Sequence, residues 1–231
     1  LLNNQCSLIF VLYDSIENPV FVGQVLQPLL KKLCSGVVDE VVIISFEQKA
    51  IDSKRIAHLQ AEHAGLRVIL FLRSRFYGWF SLRNPIKQLR ALLTIYQNSY
   101  SVLSRGPLAG MIAQQSLTPL CIQHTNQVRG LLAEEYWYMH QQTNLWLKPF
   151  HVFRRWQYQQ LEKHAYITIE QLETVSPALQ DYLAQQFHVR QDCMNLATDD
   201  IPPQLAPEQQ ALYRKQIRSQ LKIEPETIVY V

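Results

Sequence analysis

Short apolar runs that do not alternate, set between segments of helical period, constrain this chain most. Val41-Val42-Ile43-Ile44 is four β-branched residues in a row. A strand with one wet face alternates apolar and polar residues, whereas one buried on both faces has no need to. Similar runs occur at Ser7 to Tyr13, Arg67 to Leu72, Tyr100 to Leu103 and Pro119 to Ile122, with a short sixth strand expected at Glu173 to Val175. Between the first two, Val22, Val25, Leu26, Leu29, Leu30 and Leu33 recur every three or four residues, an amphipathic helix ending near Ser35-Gly36. Further helices are predicted over Lys54 to His63, from Asn84-Pro85 through Tyr96, and over Leu108 to Gln115, Leu147 to Ile169 and Ala178 to Phe187. Asn84-Pro85 and Ser176-Pro177 each read as an N-cap followed by proline at the first helical position. Strand and helix alternate throughout. The fold class is therefore α/β, a Rossmann-like parallel sheet with helices on both faces.

At 231 residues and 48% hydrophobic, the chain can bury a sizeable core, and its 10% aromatic content argues against disorder. No apolar run reaches the roughly 18 residues that a membrane-spanning helix needs. Ser7 to Tyr13 lacks the basic flank and cleavage site of a signal peptide. Cys6, Cys34, Cys121 and Cys193 lie far apart, which disfavours a zinc site and fits free thiols in a reducing cytoplasm. Three segments are expected. Residues 1–200 form an N-terminal domain, 201–226 a Pro-rich linker and connecting helix, and 227–231 the first strand of a second domain, read from Thr227-Ile228-Val229-Tyr230-Val231.

Net charge is only +3, yet His63 through Ala133 contains no Asp or Glu, where even scatter would place about six. The same stretch carries Arg67, Arg73, Arg75, Arg83, Lys87, Arg90, Arg105 and Arg129, which suits an anionic partner. Exclusion of acids from buried strands would give the same pattern. In a parallel sheet, ligands bind outside the carboxyl ends of the strands. The residues expected there include Asp14, Glu47, Arg73, Arg105 and His124, with Arg129-Gly130 and Glu134-Glu135 shortly after. An imidazole at such a mouth can bond a sugar hydroxyl or support charge at a reacting centre, although a lone histidine often only packs. Glu134 and Glu135 can pair with Arg129, bind hydroxyls, or simply favour a helix N-terminus. No GxGxxG, GxxxxGK[ST] or GxSxG occurs, so a nicotinamide dehydrogenase, a P-loop nucleotidase and an α/β-hydrolase are disfavoured.

Arg73, Arg75, Trp79 and Arg83 belong to a basic, aromatic segment that suits an anionic bilayer surface, a stacked sugar or base, or an apolar plug under a loop. Phe150 to Tyr158, with Arg154, Arg155 and Trp156, is a second such patch.

In order, these signals resemble the amino-terminal domain of retaining family 4 glycosyltransferases of the GT-B fold. Gly23 sits where that family has a glycine-containing loop near acceptor and donor phosphate. Gln123-His124-Thr125 is similar to the family's active-site histidine after the fifth strand. Val128-Arg129-Gly130 with Glu134-Glu135 resembles an Asp-x-Arg-Gly…Glu signature, with Gln127 in place of the aspartate. Thr174 to Leu179 resembles the family's strand-to-helix turn, and Asn195-Leu196-Ala197-Thr198-Asp199 its Pro-Leu-Ala-Thr-Asp phrase, with Asn195 for proline.

The resemblance implies half of an enzyme of polysaccharide biosynthesis that moves a sugar from a nucleotide-sugar donor to a glycan or lipid-linked acceptor. It would be inactive without a donor-binding second domain, cytoplasmic, and peripheral at the inner membrane. It also implies His124 as catalytic residue, with Gly23, Arg105, Arg129, Glu134 and Glu135 binding acceptor or donor. No cofactor, metal or nucleic acid is expected. The departures at Gln127 and Asn195 leave open a non-catalytic, membrane-docking module. A sugar-nucleotide epimerase would share the architecture, but it needs carboxylates in the cleft, against which the acid-free stretch argues.

Overall fold

The computed structural model describes residues 7–74, 79–143 and 145–197, without the side chains of Trp79, Phe80 and Leu145. The expectations for 201–226 and 227–231 fall outside the described residues. Seven strands, β1 (Ser7–Leu12), β2 (Glu40–Glu47), β3 (Leu66–Leu72), β4 (Tyr100–Arg105), β5 (Cys121–Val128), β6 (Gln171–Thr174) and β7 (Met194–Leu196), form one sheet in the order β3-β2-β1-β4-β5-β6-β7. Every pairing is parallel. The helices are α1 (Gln27–Cys34), α2 (Ser53–Glu62), α3 (Arg83–Leu93), α4 (Gly106–Ser116), α5 (Leu132–His140), α6 (Lys148–Thr168) and α7 (Pro177–Phe187).

The unbroken apolar runs explain the layering. Leu8, Phe10, Leu12, Val41 and Ile43 point to one face and pack with Val25, Leu26 and Leu29. Ile9, Val11, Val42, Ile44 and Phe46 point to the other, against Leu89 and Leu93 of α3 and Met111 and Ile112 of α4. Each such side chain contributes about 1.5–3 kcal/mol on burial, so β1 and β2 are the most strongly held elements. Helix α4 is apolar on nearly all sides and is enclosed accordingly.

Four local expectations need correcting. Asn84 does not cap α3, whose N-cap is Leu82; a 3-10 turn over Trp79–Leu82 feeds the helix, and Pro85 still fits because the first-turn amides have no intrahelical acceptor. Strand β5 starts later and runs longer than expected, because its polar residues pair with both neighbouring strands. The sheet has a seventh strand, β7, whose three residues Met-Asn-Leu carry no apolar run to announce it. The first helix is not uniform. Val22–Leu26 forms a wide turn in which the Gln27 N–H bonds to the Val22 carbonyl, and Pro28, lacking an N–H, supplies the physical reason for widening there.

Ser176 behaves as expected, its Oγ accepting the Leu179 N–H at the start of α7. Gly110 marks a close approach, since a Cβ there would lie 3.0 Å from Asn126 and 2.8 Å from the Ile169 side chain. Gly110→Ala is therefore expected to destabilise the fold by about 1–3 kcal/mol, read as a shift in the midpoint of chemical denaturation.

Candidate functional site

From β1 the chain builds the sheet outward through β2 and β3, then returns to place β4 on the other side of β1. At that reversal the two connections diverge and leave a crevice at the carboxyl ends of β1 and β4. A cavity of about 230 Å³ lies there, lined by Tyr13, Asp14, Arg105, Gly106, Arg129 and Glu135 among others. A larger cavity of about 480 Å³ lies between the wide turn and α2, but it is lined by scattered apolar and surface-charged residues. The smaller one holds the convergent charges and is the better candidate.

Arg105 ends β4 and caps α4 from an extended backbone. Gly106 follows at φ +79°, a conformation that favours glycine, so strand passes into helix without a loop. The N-terminus of α4 has no side-chain cap and no acid in its first turn. Its positive end therefore adds to the charge of Arg105 and Arg129. Burial lowers the Arg105 pKa, Arg129 lowers it further, and Asp14 opposes both. Nη2 of Arg105 donates to Gln24 of the wide turn, while Nη1 is buried without a hydrogen-bond acceptor among the described residues. Arg129 lies 3.8 Å from Glu173 of β6. The arrangement suits an anion.

The β1–α1 loop beside this crevice is tied down by polar groups of β2. Buried Glu47 accepts the Ile16 N–H at 3.0 Å and the Ser45 hydroxyl at 2.6 Å. Asp14 accepts from the Ser15 N–H and the Asn18 amide at 2.8 and 2.6 Å. Gly23 lies exposed in the wide turn, one residue from Gln24, and a Cβ there would meet nothing within 4 Å.

His124 is not at the mouth. It lies inside β5, paired with Val102, and is only 7% exposed. Nε2 is 2.9 Å from Ser104 Oγ, Nδ1 is 2.7 Å from the Gln114 amide, and Ser104 Oγ donates to Asn126 Oδ1 at 2.9 Å. Burial lowers the His124 pKa to about 4, so the ring is neutral at pH 7. A neutral imidazole has one N–H. Gln114 Oε1 only accepts, so Nδ1–H donates to it, and Nε2 is left as an acceptor that shares the single Ser104 hydroxyl proton with Asn126 Oδ1. The expected place of His124 at the cleft mouth is thus corrected to an interior polar chain with Ser104 and Asn126. The cause is the misplaced end of β5, which runs on to Val128, with Arg129 just after it.

Glu134 also departs from expectation. It accepts both Nη2 contacts of Arg155 at 2.8 Å and is committed to α6, whereas Arg129 pairs with Glu173. Gln127 likewise donates to Glu173, at 2.8 Å. Glu135 does reach the cavity, packed against Gly130, where an added Cβ would clash with its carboxylate. Burial raises its pKa. With Asp14 and Glu135 in the lining, the crevice is not carboxylate-poor, because residues outside the acid-free stretch fold into it. Sequence reasoning missed Glu162, a fully buried carboxyl on α6 that accepts the Leu132 and Ala133 N–H groups and caps α5. Burial raises its pKa to about 8, outweighing those two hydrogen bonds. Its single signal was an acid at a core-facing position of a long helix.

The basic segment is only partly on view. Arg73 is held to the sheet, its Nε donating to the Phe46 carbonyl at 2.7 Å and its guanidinium 4.4 Å from the Tyr13 ring centroid. That geometry ties Arg73 to the ends of β1 and β2. Arg83 opens α3 and is exposed; Arg75 and the Trp79 side chain lie outside the described residues. Among the described residues, no cluster of three potential metal ligands occurs and no helix is long and apolar enough to cross a membrane.

Two buried groups give opposite pH dependences. His124 has a folded pKa below its usual 6.5, so the unfolded chain binds the extra proton and stability falls as pH drops from 6.5 to 4. Glu162 has a folded pKa above its usual 4.5, so its contribution is complete below 4.5 and is lost as pH rises through 8. Glu162→Gln should keep the cap and leave the His124 slope, and His124→Gln should leave the Glu162 slope. Denaturation across pH 4–8 should show each slope, on the order of 3 kcal/mol.

No protein-family model and no curated protein matches the chain. Solved structures do. Sucrose-phosphate synthase from Thermosynechococcus elongatus superposes with a TM-score of 0.54 at 13% identity, over 96% of this chain and 53% of that one. Anabaena Alr3699/HepE, solved with UDP and glucose, gives 0.52 at 12% identity, over 91% and 50%. UDP-N-acetylglucosamine 2-epimerase from Rickettsia bellii gives 0.51 at 10% identity, over 96% and 52%. At such identities the likeness is one of fold, and the chain spans about half the length of these relatives. The fold is the Rossmann-like parallel sheet of the N-terminal domain of GT-B glycosyltransferases.

Proposed function

We propose that this chain is the acceptor-side half of a glycosyltransferase that moves a sugar from a nucleotide-sugar donor to a glycan or lipid-linked acceptor. The observation that carries the proposal is the convergence of Arg105, Arg129 and the uncapped start of α4 on one crevice at the sheet reversal. Their common target is a phosphate group of donor or acceptor. Fixed cations and aligned amides stabilise charge that builds on a leaving phosphate without reorganising. The donor-binding half completes the site, and the resemblance to family 4 adds retention of anomeric configuration with no metal or cofactor. Glu135 binds a hydroxyl of the acceptor from the crevice wall. His124 acts as a positioning residue, holding Ser104 next to Arg105. The enzyme works in the cytoplasm at the inner membrane face, where lipid-linked acceptors are found.

The complete polypeptide carrying this domain, supplied with a panel of UDP-, GDP- and ADP-sugars, is expected to release nucleoside diphosphate. Arg105→Gln and Arg129→Gln should each lower kcat by about 100-fold or more with the fold intact. His124→Ala should act less severely and together with a loss of stability. Absence of turnover with every donor would favour a non-catalytic module. Conversion of the donor to its epimer without transfer would assign epimerase chemistry instead.

A further inference from the structure

We propose that the open face of β5, β6 and β7 binds a neutral oligosaccharide chain that continues into the crevice. That this glycan is the acceptor rests on the transferase function proposed above; that the face binds it does not.

All-parallel sheets are covered on both faces in nearly every fold that contains them. On the side of α3, α4, α6 and α7, one core runs from Val42 of β2 through to Met194 of β7. On the side of α1, the core takes in β1, β2, β3 and Leu103 of β4 but, among the described residues, nothing of β5, β6 or β7.

Polar side chains stand there instead. Arg105, Gln127, Glu173 and Asn195 are in register across β4, β5, β6 and β7, and Thr125 pairs with Gln171 on the same face. With Gln123, which lies two residues from Thr125, β5, β6 and β7 present six polar side chains and no apolar one. They are organised. Gln123 Nε2 and Thr125 Oγ1 both donate to Gln171 Oε1, while the Gln171 amide N–H groups have no acceptor among the described residues. Gln127 donates to Glu173 at 2.8 Å, yet its own Oε1 is buried without a donor among the described residues. An orphaned acceptor is costly, and a ligand hydroxyl would relieve it.

The side-chain chemistry selects the occupant. An amide presents one acceptor and two donors in a plane, which complements sugar hydroxyls that both donate and accept. Glu173 is the one carboxylate of the six, and Arg129 lies 3.8 Å from it, so the face favours an uncharged ligand. A nucleic acid would need unopposed Lys and Arg, and a protein partner an apolar or aromatic centre. A covering helix would need apolar residues beneath it. The face supplies none of these. Strand spacing and rise give it roughly 10 by 13 Å, room for more than one sugar ring. It also runs into the crevice, because Arg105 and Arg129 belong to both.

The test needs neither donor nor turnover. The isotope-labelled 231-residue chain is titrated with short linear oligosaccharides of glucose, galactose, mannose and N-acetylglucosamine. At least one of these is expected to shift the side-chain amide NMR signals of Gln123, Gln127, Gln171 and Asn195 together, with an affinity insensitive to salt. Gln123→Leu combined with Gln171→Leu should weaken binding by about tenfold with an unchanged circular dichroism spectrum, and Asn195→Ala alone by about threefold. Ile122→Ala, on the opposite face of β5, should change nothing. Shifts confined to the crevice, binding that fades with salt, unaltered affinity in the double variant, or silence with every sugar would each overturn the proposal. So would contacts between these amides and residues beyond Ala197, since the chain itself would then cover the face. Transfer by the complete polypeptide without such binding would overturn this proposal alone, whereas binding without transfer would support it and count only against the transferase.

Discussion

Burial of β1 on both faces and both edges is the constraint on which the rest depends. All six of its residues are buried, with β2 on one side and β4 on the other. A strand so enclosed must be covered by helices above and below, which the parallel crossovers supply. Because the chain leaves β1 in one direction and returns to its other side, the connections part at its carboxyl end. The crevice is a by-product of filling the core, and the charged residues sit where that geometry leaves space.

The interior is not purely apolar, and its polar groups share a purpose. Glu47 and Ser45 fix the loop after β1, the Ser104–His124–Asn126 chain braces the end of β4, and Glu162 caps α5. Each satisfies backbone or side-chain groups whose desolvation would otherwise cost about 1–3 kcal/mol. All three hold segments that reach the crevice. Burial alone lowers the His124 pKa, and at Glu162 it outweighs the two backbone hydrogen bonds and raises the carboxyl pKa.

Arg105 and Arg129 form the opposite case, with charge kept near charge in a partly desolvated setting. Like charges held close store electrostatic cost that an anion relieves. The acid-free stretch of sequence pointed to such a region but overstated it, since Asp14, Glu135 and Glu173 come from outside the stretch and moderate the field.

The sequence by itself determined the layer order. Runs such as Val41 to Ile44 can be satisfied only with helices on both faces, and Ser176-Pro177 starts a helix through its own hydroxyl. These features are local, and local chemistry is enough to read them. Tertiary structure alone decided where β5 ends, because Gln123 to Gln127 look like a loop until Ser104, Gln171 and Glu173 supply partners across the sheet. It also placed His124 in the interior, turned Glu134 to Arg155, and brought Arg105 within the influence of Arg129. Those outcomes depend on pairings between residues distant in the chain, and no periodicity along the chain encodes them.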